Sequence, residues 1–301
     1  MKARTVGIFF KHNHEPARIE AHKLKEWLEA RNYEVFMDSM NAEQNEGSRS
    51  ATQYHERVSK IPSNVGWVVV LGGDGTLLGA ARKVGKFGMP ILGVNLGGLG
   101  FLTEVPLKRL YPVVEMMLKG QLDEESRLML ETRVVRGGQN IGSFLVLNDV
   151  VINKGALARI LDLDVYINDQ FLTAFRSDGL IISTPTGSTA YNLAAGGPIL
   201  YPTMSNLILT PICPFTLTNR PIILPDSDTV CITMRKAREE KVTITFDGQV
   251  GFDLKYGDKV MIHASNKRIR LLKSPDQTYF EILRAKLMWG GATYKNHDGN
   301  G

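Results

Sequence analysis

The first part of the chain alternates short apolar runs with segments whose apolar residues recur at helical spacing. Gly66–Leu71 is a continuous apolar run, which is typical of a strand buried on both faces of a parallel sheet. The alternation predicts an open α/β domain, Rossmann-like in architecture, over residues 1–125. Its predicted elements are strands over Thr5–Phe10, Glu34–Met37, Gly66–Leu71 and Pro90–Val94, helices over Ala17–Ala30 and Thr76–Val84, and an exposed polar loop over Asn41–Ser50.

After Leu128 the pattern changes to short strand-like segments separated by turn-rich pieces such as Phe246-Asp247-Gly248. This pattern predicts an all-β second domain, sandwich-like in arrangement, over residues 126–275. Residues 276–301 are predicted to hold a helix over Tyr279–Met288 that returns to the first domain, followed by a polar, glycine-rich tail. The strand-like segments of the second domain are 129–136, 143–152, 160–167, 179–184, 207–212, 229–234, 242–246 and 260–263.

Composition narrows the class of protein without assigning a function. The chain is 43% hydrophobic and 22% charged, close to the average of soluble globular proteins. Its net charge of +5 comes from scattered Lys and Arg residues, whereas a nucleic-acid-binding protein usually concentrates them in a stripe. No segment approaches the roughly 18 apolar residues of a membrane span. We therefore expect a soluble protein that binds neither nucleic acid nor a membrane.

Several chemistries are disfavoured by what the chain contains. Cys213 and Cys231 are the only cysteines and lack CxxC spacing, which argues against a zinc site and a disulfide scaffold and favours a reducing, cytoplasmic compartment. The histidines show no ligand spacing, and we predict no metal site built from protein side chains alone. Neither G-x-S-x-G nor the P-loop pattern G-x-x-x-x-G-K-[ST] is present, which argues against a serine hydrolase and excludes a P-loop kinase.

The sharpest candidate for chemistry is the segment Leu71-Gly72-Gly73-Asp74-Gly75-Thr76 at the carboxyl end of a predicted buried strand. In open α/β sheets that end of a strand faces the ligand crevice. Gly72, Gly73 and Gly75 let backbone N–H groups approach phosphate oxygens, and Asp74 is placed to take a proton from an attacking hydroxyl. The alternative is a tight strand-to-helix turn in which Asp74 only caps the helix.

A second glycine-rich loop, Gly93–Phe101, also follows a predicted strand. The two loops could therefore line the same crevice. The alternative is a connector that packs closely on the first loop, because glycine runs by themselves discriminate poorly between these possibilities.

A third candidate combines Arg176-Ser177-Asp178-Gly179 with the hydroxyl-rich stretch Ser183–Asn192. Six hydroxyl-bearing residues fall within residues 183–191 and offer hydrogen bonds to a ribose or a base edge, while Tyr191 offers a ring for stacking. The alternative is a Ser/Thr-rich turn that caps a short helix beginning near Ser188. Asn148-Asp149 is a fourth candidate, although such a pair is more often a turn than a site.

These segments together resemble the NAD kinase family. Gly72–Thr76 resembles a GGDG signature that this family shares with diacylglycerol kinases, sphingosine kinases and 6-phosphofructokinases. The stretch Ser177–Tyr191 matches NAD kinases more specifically, and the resemblance extends from about Val6 to Trp289. It implies an N-terminal α/β domain, a β-rich C-terminal domain, NAD bound between the two, and a homodimer or homotetramer.

The resemblance also implies roles for individual residues. Asp74 would be the base that activates the ribose 2′-hydroxyl of NAD, and Asn148 and Asp149 would grip the nucleotide, with Asp149 in place of the Glu usual in the family. The remaining implied nucleotide contacts are Gly72, Gly73, Gly75, Arg159, Arg176, Asp178, Thr186, Thr189, Ala190, Tyr191, Asn192, Leu193, Ala194 and Gln249.

The reaction implied is phosphorylation of NAD to NADP by ATP, with polyphosphate as an alternative donor. Phosphoryl transfer needs charge neutralisation, and we predict that Mg²⁺ arrives with the triphosphate. Two alternatives stay open at this point: a kinase of the same superfamily that acts on a lipid or a sugar phosphate, and a dinucleotide-binding sensor without activity.

Overall fold

The structure, a computed structural model, describes residues 5–40, 61–155, 160–235 and 241–289. The predicted loop Asn41–Ser50, Arg159 and the tail after residue 289 lie outside the described residues. The four strands and the two helices predicted for the first domain are confirmed. The elements of this part are, in chain order, β1 (Thr5–Lys11), α1 (Glu15–Glu29), β2 (Glu34–Met40), β3 (Val65–Gly72), α2 (Asp74–Val84), β4 (Pro90–Asn95), β5 (Val105–Pro106), α3 (Leu110–Lys119) and β6 (Glu124–Arg127).

The second part consists mainly of strands, as predicted. They are β7 (Leu130–Arg136), β8 (Gln139–Val146), β9 (Asp149–Lys154), β10 (Leu161–Ile167), β11 (Gln170–Ser177), β12 (Gly179–Ser183), β13 (Asn206–Ile212), β14 (Ile222–Pro225), β15 (Val230–Met234), β16 (Val242–Phe246), β17 (Val250–Leu254), β18 (Lys259–Ala264) and β19 (Ile269–Leu272). A one-turn helix α4 (Tyr191–Ala194) follows β12, and α5 (Tyr279–Leu287) comes after β19.

The first domain is built on a sheet in the order β2-β1-β3-β4-β19-β6, with β5 paired to β4. Strands β1 to β5 and β19 pair in parallel, and β6 joins β19 in antiparallel orientation. Helices α1 and α3 share a core with one face of this sheet. Helix α2 packs on the other face, in a core that also holds Leu147 and Met129. Helix α2 therefore lies between the first sheet and the second domain.

The second domain is a sandwich of two antiparallel sheets, which confirms the predicted arrangement. One sheet has the order β11-β10-β15-β18-β7-β8, and the other has the order β14-β13-β12-β9-β16-β17. Alternate apolar residues of both sheets meet in one core, where the rings of Phe144 and Phe246 stack with centroids 4.0 Å apart. The opposite face of the second sheet, around β9 and β16, bears polar residues such as Thr243 and Thr245.

Two boundaries differ from the sequence expectation. Strand β19 lies in the first sheet, between β4 and β6, although the sequence division assigns residues 269–272 to the second domain. The chain thus returns to the first domain as a strand before it forms helix α5. That helix contacts both domains, because Lys286 lies over the Phe101 ring and Tyr279 contacts the Tyr201 ring.

The segment expected as one strand over 143–152 is divided into β8 and β9 at Leu147 and Asn148. The N–H groups of these two residues donate to the carboxylate of Asp247 rather than to a neighbouring strand. The ladder is interrupted there for that reason, and Asp149 begins a new strand.

Candidate active site

Helix α2 begins at Asp74, two residues earlier than the spacing of apolar residues predicts. The residue before it, Gly73, has extended backbone angles, and its carbonyl accepts the N–H groups of Thr76 and Leu77. Asp74 consequently lies at the junction of strand β3 and helix α2, at the carboxyl end of the parallel sheet. This is the position that the sequence analysis assigned to it.

The Asp74 carboxylate connects the two glycine-rich loops. Its Oδ2 accepts the N–H of Phe101 at 2.8 Å, and its Oδ1 accepts the N–H groups of Leu102 and Thr103 at 3.0 Å each. The hydroxyl of Thr103 donates to Oδ1 as well, also at 3.0 Å. Asp74 is therefore not a simple cap of its own helix, since the second loop supplies four donors to its side chain. The two loops do line one site.

A cavity of about 500 Å³ opens on the polar face of the second sheet, beside helix α4. This volume is within the range of small-molecule sites in proteins. Of the residues predicted to contact the nucleotide, Asn148, Asp149, Ala190 and Tyr191 line it. The sequence analysis missed the other lining residues, which are Val151, Asn153, Lys154, Thr243, Thr245, Asp247 and Gly248.

Asp149 is almost completely buried at the start of β9. Burial, and secondly the nearby charge of Asp247, raise the pKa of the Asp149 carboxyl to about 7. A buried carboxyl group with a pKa near neutrality is a frequent feature of functional sites. The group is thus divided between its neutral and ionised forms at physiological pH.

Asp247 organises the wall of the cavity and connects it to the first domain. Its carboxylate accepts the N–H groups of Leu147 and Asn148 at 3.1 and 2.7 Å and forms a buried ion pair with Arg82 of helix α2 at 2.9 Å. Arg82 also donates to Gln249 at 2.5 Å. The sequence analysis missed Asp247 because Asp-Gly between two strands is the usual signal of a hairpin turn, and the positive φ angles of Asp247 and Gly248 show that this turn is present.

Gln249 connects the cavity wall to the GGDG segment. Its side-chain N–H donates to the carbonyl of Gly75 at 2.7 Å, while its side-chain oxygen accepts from Arg82. The sequence analysis predicted Gln249 as a nucleotide contact. In the structure both ends of its amide bind protein groups, so it joins the cavity to the loop that carries Asp74.

Most hydroxyl groups of the stretch 183–191 bind the protein backbone. Thr184 donates to the carbonyl of Leu147 and accepts the N–H of Gly187, and Ser188 donates to the carbonyl of Pro185. For these hydroxyl groups the alternative interpretation, a Ser/Thr-rich turn, describes the structure better. Within the described residues, the hydroxyl of Thr186 and the side-chain oxygen of Asn148 are buried without a hydrogen-bond partner.

Asn192, a predicted nucleotide contact, binds protein groups in the structure. Its side chain is completely buried, donates to the carbonyls of Ser188 and Pro198, and accepts the hydroxyl of Thr210. Asn192 thereby shapes the loop that places Ala190 and Tyr191 at the cavity. The neighbouring Leu193 and Ala194 complete helix α4 and are not among the residues that line the cavity.

Arg176 and Asp178 lie beside each other but differ in their contacts. Asp178 forms an ion pair at 3.0 Å with Lys154, which lines the cavity. The guanidinium of Arg176 instead lies over the ring of Phe215, 4.7 Å from its centroid. The structure therefore brings Asp178 to the cavity edge through Lys154, whereas Arg176 faces a different part of the surface. Thr189 donates weakly to the carbonyl of Thr186.

No helix in the described ranges combines the length and apolarity needed to cross a membrane. Within the same ranges no group of three or more His, Cys, Asp or Glu side chains is arranged to hold a metal ion.

Comparison with known proteins identifies the family. Residues 6–122 match the model of the ATP-NAD kinase N-terminal domain, and residues 147–274 match that of the C-terminal domain. The chain is 52% identical over 288 residues to an NAD kinase of Syntrophotalea carbinolica, covering 95% of this chain and 99% of that one. It is 47% identical over 287 residues to an NAD kinase of Geobacter sulfurreducens, with the same coverage of both chains.

Solved structures share the fold. A yeast NADH kinase complexed with NADH aligns with a TM-score of 0.79 at 23% identity, covering 98% of this chain and 90% of that one. An NAD kinase from Archaeoglobus fulgidus in complex with ATP aligns with a TM-score of 0.71 at 22% identity, covering 94% and 98%. The two family models, which together match most of the chain, and the full-length relatives show that this protein belongs to the NAD kinase family and is a phosphotransferase that acts on NAD.

Proposed function

We propose that the adenosine ribose of NAD binds between the 500 Å³ cavity and the Asp74 loop, and that its 2′-hydroxyl is phosphorylated there. The observation that carries this proposal is the direct connection between the two places: Gln249, beside the cavity residue Gly248, donates to the carbonyl of Gly75. A ligand that fills the cavity and extends past Gln249 reaches the loop next to Asp74. The solved relatives contain NADH or ATP, which supports a nucleotide ligand in this fold.

The buried oxygens without partners support the same placement. The side-chain oxygen of Asn148 and the hydroxyl of Thr186 lack hydrogen bonds within the described residues, and leaving buried polar atoms unpaired costs roughly 1–3 kcal/mol each. A ribose or an amide group of the dinucleotide would satisfy the Asn148 oxygen, because Asn148 lines the cavity. Asp149 and the exposed ring of Tyr191, on the same cavity, would contact a ribose hydroxyl and a base face.

In the proposed reaction Asp74 takes the proton of the 2′-hydroxyl. The hydroxyl oxygen then forms a bond to the terminal phosphorus of ATP, and the bond between that phosphorus and the bridging oxygen breaks, releasing ADP. The amides of the loop 72–75 would hold phosphate oxygens, as expected from the glycine content. Mg²⁺ would enter with the triphosphate, because this ion usually retains waters and binds substrate phosphates with only one or two protein carboxylates.

Replacing Asp74 by Asn tests this role. The variant keeps the shape of the side chain and removes its capacity to accept the proton, so kcat should fall on the order of 10²–10⁴, the usual scale for general-base catalysis. The measurement is NADP formation by mass detection with ATP, other triphosphates and polyphosphate as donors. Asp123→Asn, at an exposed carboxylate, is the matched control. A near-normal kcat for Asp74→Asn would remove Asp74 from the proposed role.

We further propose a cytoplasmic homodimer or homotetramer. The two cysteines within the described residues are unpaired, which suits a reducing compartment. Phe215 and Leu217 of the second domain, exposed at 63% and 86% of their surface, would be candidates for the contact between subunits. Light scattering at several protein concentrations would measure the oligomeric state, and cell fractionation would test the location.

A further inference from the structure

The second glycine-rich loop binds the Asp74 carboxylate through several hydrogen bonds. Residues 101–103 direct three consecutive backbone N–H groups at its carboxylate, and the Thr103 hydroxyl adds a fourth donor. The distribution over the two oxygens is unequal, since Oδ1 accepts three hydrogen bonds and Oδ2 accepts one. Oδ1 is therefore anchored, and Oδ2 retains capacity to accept a further hydrogen bond.

The hydrogen bonds that connect Asn95, Thr103 and Oδ1 of Asp74 each have a defined donor and acceptor. The side-chain oxygen of Asn95 accepts the N–H of Gly97 at 2.7 Å, so the NH₂ group of that amide is the one that points to Thr103. It donates to the Thr103 hydroxyl at 2.8 Å. Because an ionised carboxylate can only accept, the single proton of the Thr103 hydroxyl is directed to Asp74.

This chain of hydrogen bonds is shielded from water. Thr103 is completely buried and Asn95 is 7% exposed, while Asp74 at its end is only partly buried. A hydrogen bond to a charged group is stronger than one between neutral groups, and a buried environment strengthens it further. The loop thus forms a rigid support for a carboxylate that is itself only partly buried.

The surroundings of Gly100 show that the loop backbone packs tightly against the Asp74 carboxylate. A Cβ atom at this residue would lie 2.2 Å from Oδ1 of Asp74 and 2.4 Å from the Thr103 hydroxyl oxygen. Any side chain there would push the carboxylate out of its position. The backbone of the loop and the carboxylate therefore occupy adjoining space with no room between them.

We propose that Thr103, held by Asn95, is the positioning residue that fixes the Asp74 carboxylate so that Oδ2 faces the ribose hydroxyl. This inference rests on the proposed role of Asp74 and adds residues for which no function was predicted. Thr103 acts through Asp74 and does not touch the substrate. Its contribution should be visible in kcat rather than in the KM for NAD, because a displacement of about 1 Å at a reacting group can lower the rate about 10²-fold.

The test compares four single variants with the parent protein. Thr103→Val keeps the shape of the side chain and removes the hydroxyl, and we expect a fall in kcat of roughly 10- to 100-fold, the scale of a lost hydrogen bond to a charged group. Thr103→Ser restores the hydroxyl and should recover most of kcat. Thr132→Val is the matched control, since Thr132 is also completely buried and its hydroxyl has no hydrogen-bond partner within the described residues.

The fourth variant, Asn95→Asp, tests the chain of hydrogen bonds without altering Thr103. Asp has nearly the same shape and can still accept the N–H of Gly97, but it replaces the donor by an acceptor. The Thr103 hydroxyl would then turn partly away from Asp74, and kcat should fall. This variant also serves if Thr103→Val does not fold.

A double-variant cycle separates positioning from a general structural effect. If Thr103 acts through Asp74, adding Thr103→Val to Asp74→Asn should lower kcat no further, whereas independent effects would multiply. Multiplied effects, or normal kcat for both Thr103→Val and Asn95→Asp, would overturn the inference. If Asp74→Asn itself retains normal activity, the proposed role of Asp74 fails instead, so the two failures are distinguishable.

Discussion

At the scale of single residues, Asp149 shows how burial changes the chemistry of a side chain. Its carboxyl is ionised above about pH 4 in an unfolded chain, but burial and the charge of Asp247 raise its pKa to about 7 in the folded protein. Between these two values the folded state binds more protons than the unfolded state. Asp149 therefore lowers the stability progressively as the pH rises through this interval, and its effect levels off above about pH 7.

Replacing Asp149 by Asn should remove this pH dependence. The free energy of unfolding of the variant, relative to the parent, should rise between pH 4.5 and pH 8 by about 3 kcal/mol, from 1.36 kcal/mol per pKa unit over this interval. Urea unfolding at several pH values measures the difference. Asp169→Asn, in the exposed turn between β10 and β11, is the control and should show no comparable trend. A difference that is constant with pH would contradict the assignment.

At the scale of elements, the loop 97–103 is a support for helix α2 and not only a connector between β4 and β5. Gly100→Ala should lower kcat by about 10²-fold, because the new Cβ would meet the Asp74 carboxylate at 2.2 Å. Gly98→Ala is the matched control in the same loop, since a Cβ there has no atom within 4 Å. Steady-state kinetics of both variants checks this prediction. Equal kcat values for the two would show that the loop is not needed to hold Asp74.

At the scale of the whole molecule, the two domains are connected through buried charges. Arg82 of helix α2 and Asp247 of the second domain have side chains that are 8% and 0% exposed. Arg82→Met would leave the Asp247 carboxylate buried without its ion-pair partner, and such losses cost about 3–5 kcal/mol. The N–H groups of Leu147 and Asn148 would also lose a rigid acceptor, so NAD binding should weaken.

The exposed pair Arg109–Asp276 provides the comparison for this prediction. Both of its side chains are more than one third exposed, and pairs of this kind contribute about 0–1 kcal/mol. Urea unfolding of Arg82→Met and Arg109→Met should therefore give clearly different losses of stability. A loss for Arg82→Met as small as that for Arg109→Met would mean that the interdomain pair is not important for stability.

Most of the longer regular elements were predicted from the sequence, although not all of those with a clear repeat. Apolar runs such as Gly66–Leu71 and the helical spacing of α1 depend only on nearby residues, so these elements were found within a few residues of their observed bounds. Helix α3 was missed although its buried residues Leu110, Val113, Val114, Met117 and Leu118 recur at helical spacing. Strand β19 was missed as well. Strand β19 is only four residues long, and its place between β4 and β6 depends on residues far apart in the chain.

The candidate site likewise combines features that the sequence predicts with features that only the tertiary structure determines. The sequence alone indicated the α/β and β-rich halves, the position of Asp74 at the end of a buried strand and the resemblance to NAD kinases, because these follow from local patterns and residue types. Only the tertiary structure decided which groups meet Asp74, that Asp247 pairs with Arg82, and that most hydroxyls of 183–191 bind the backbone. Hydrogen bonds and burial join residues distant in the chain, and a sequence pattern records neither the distance nor the direction of such contacts.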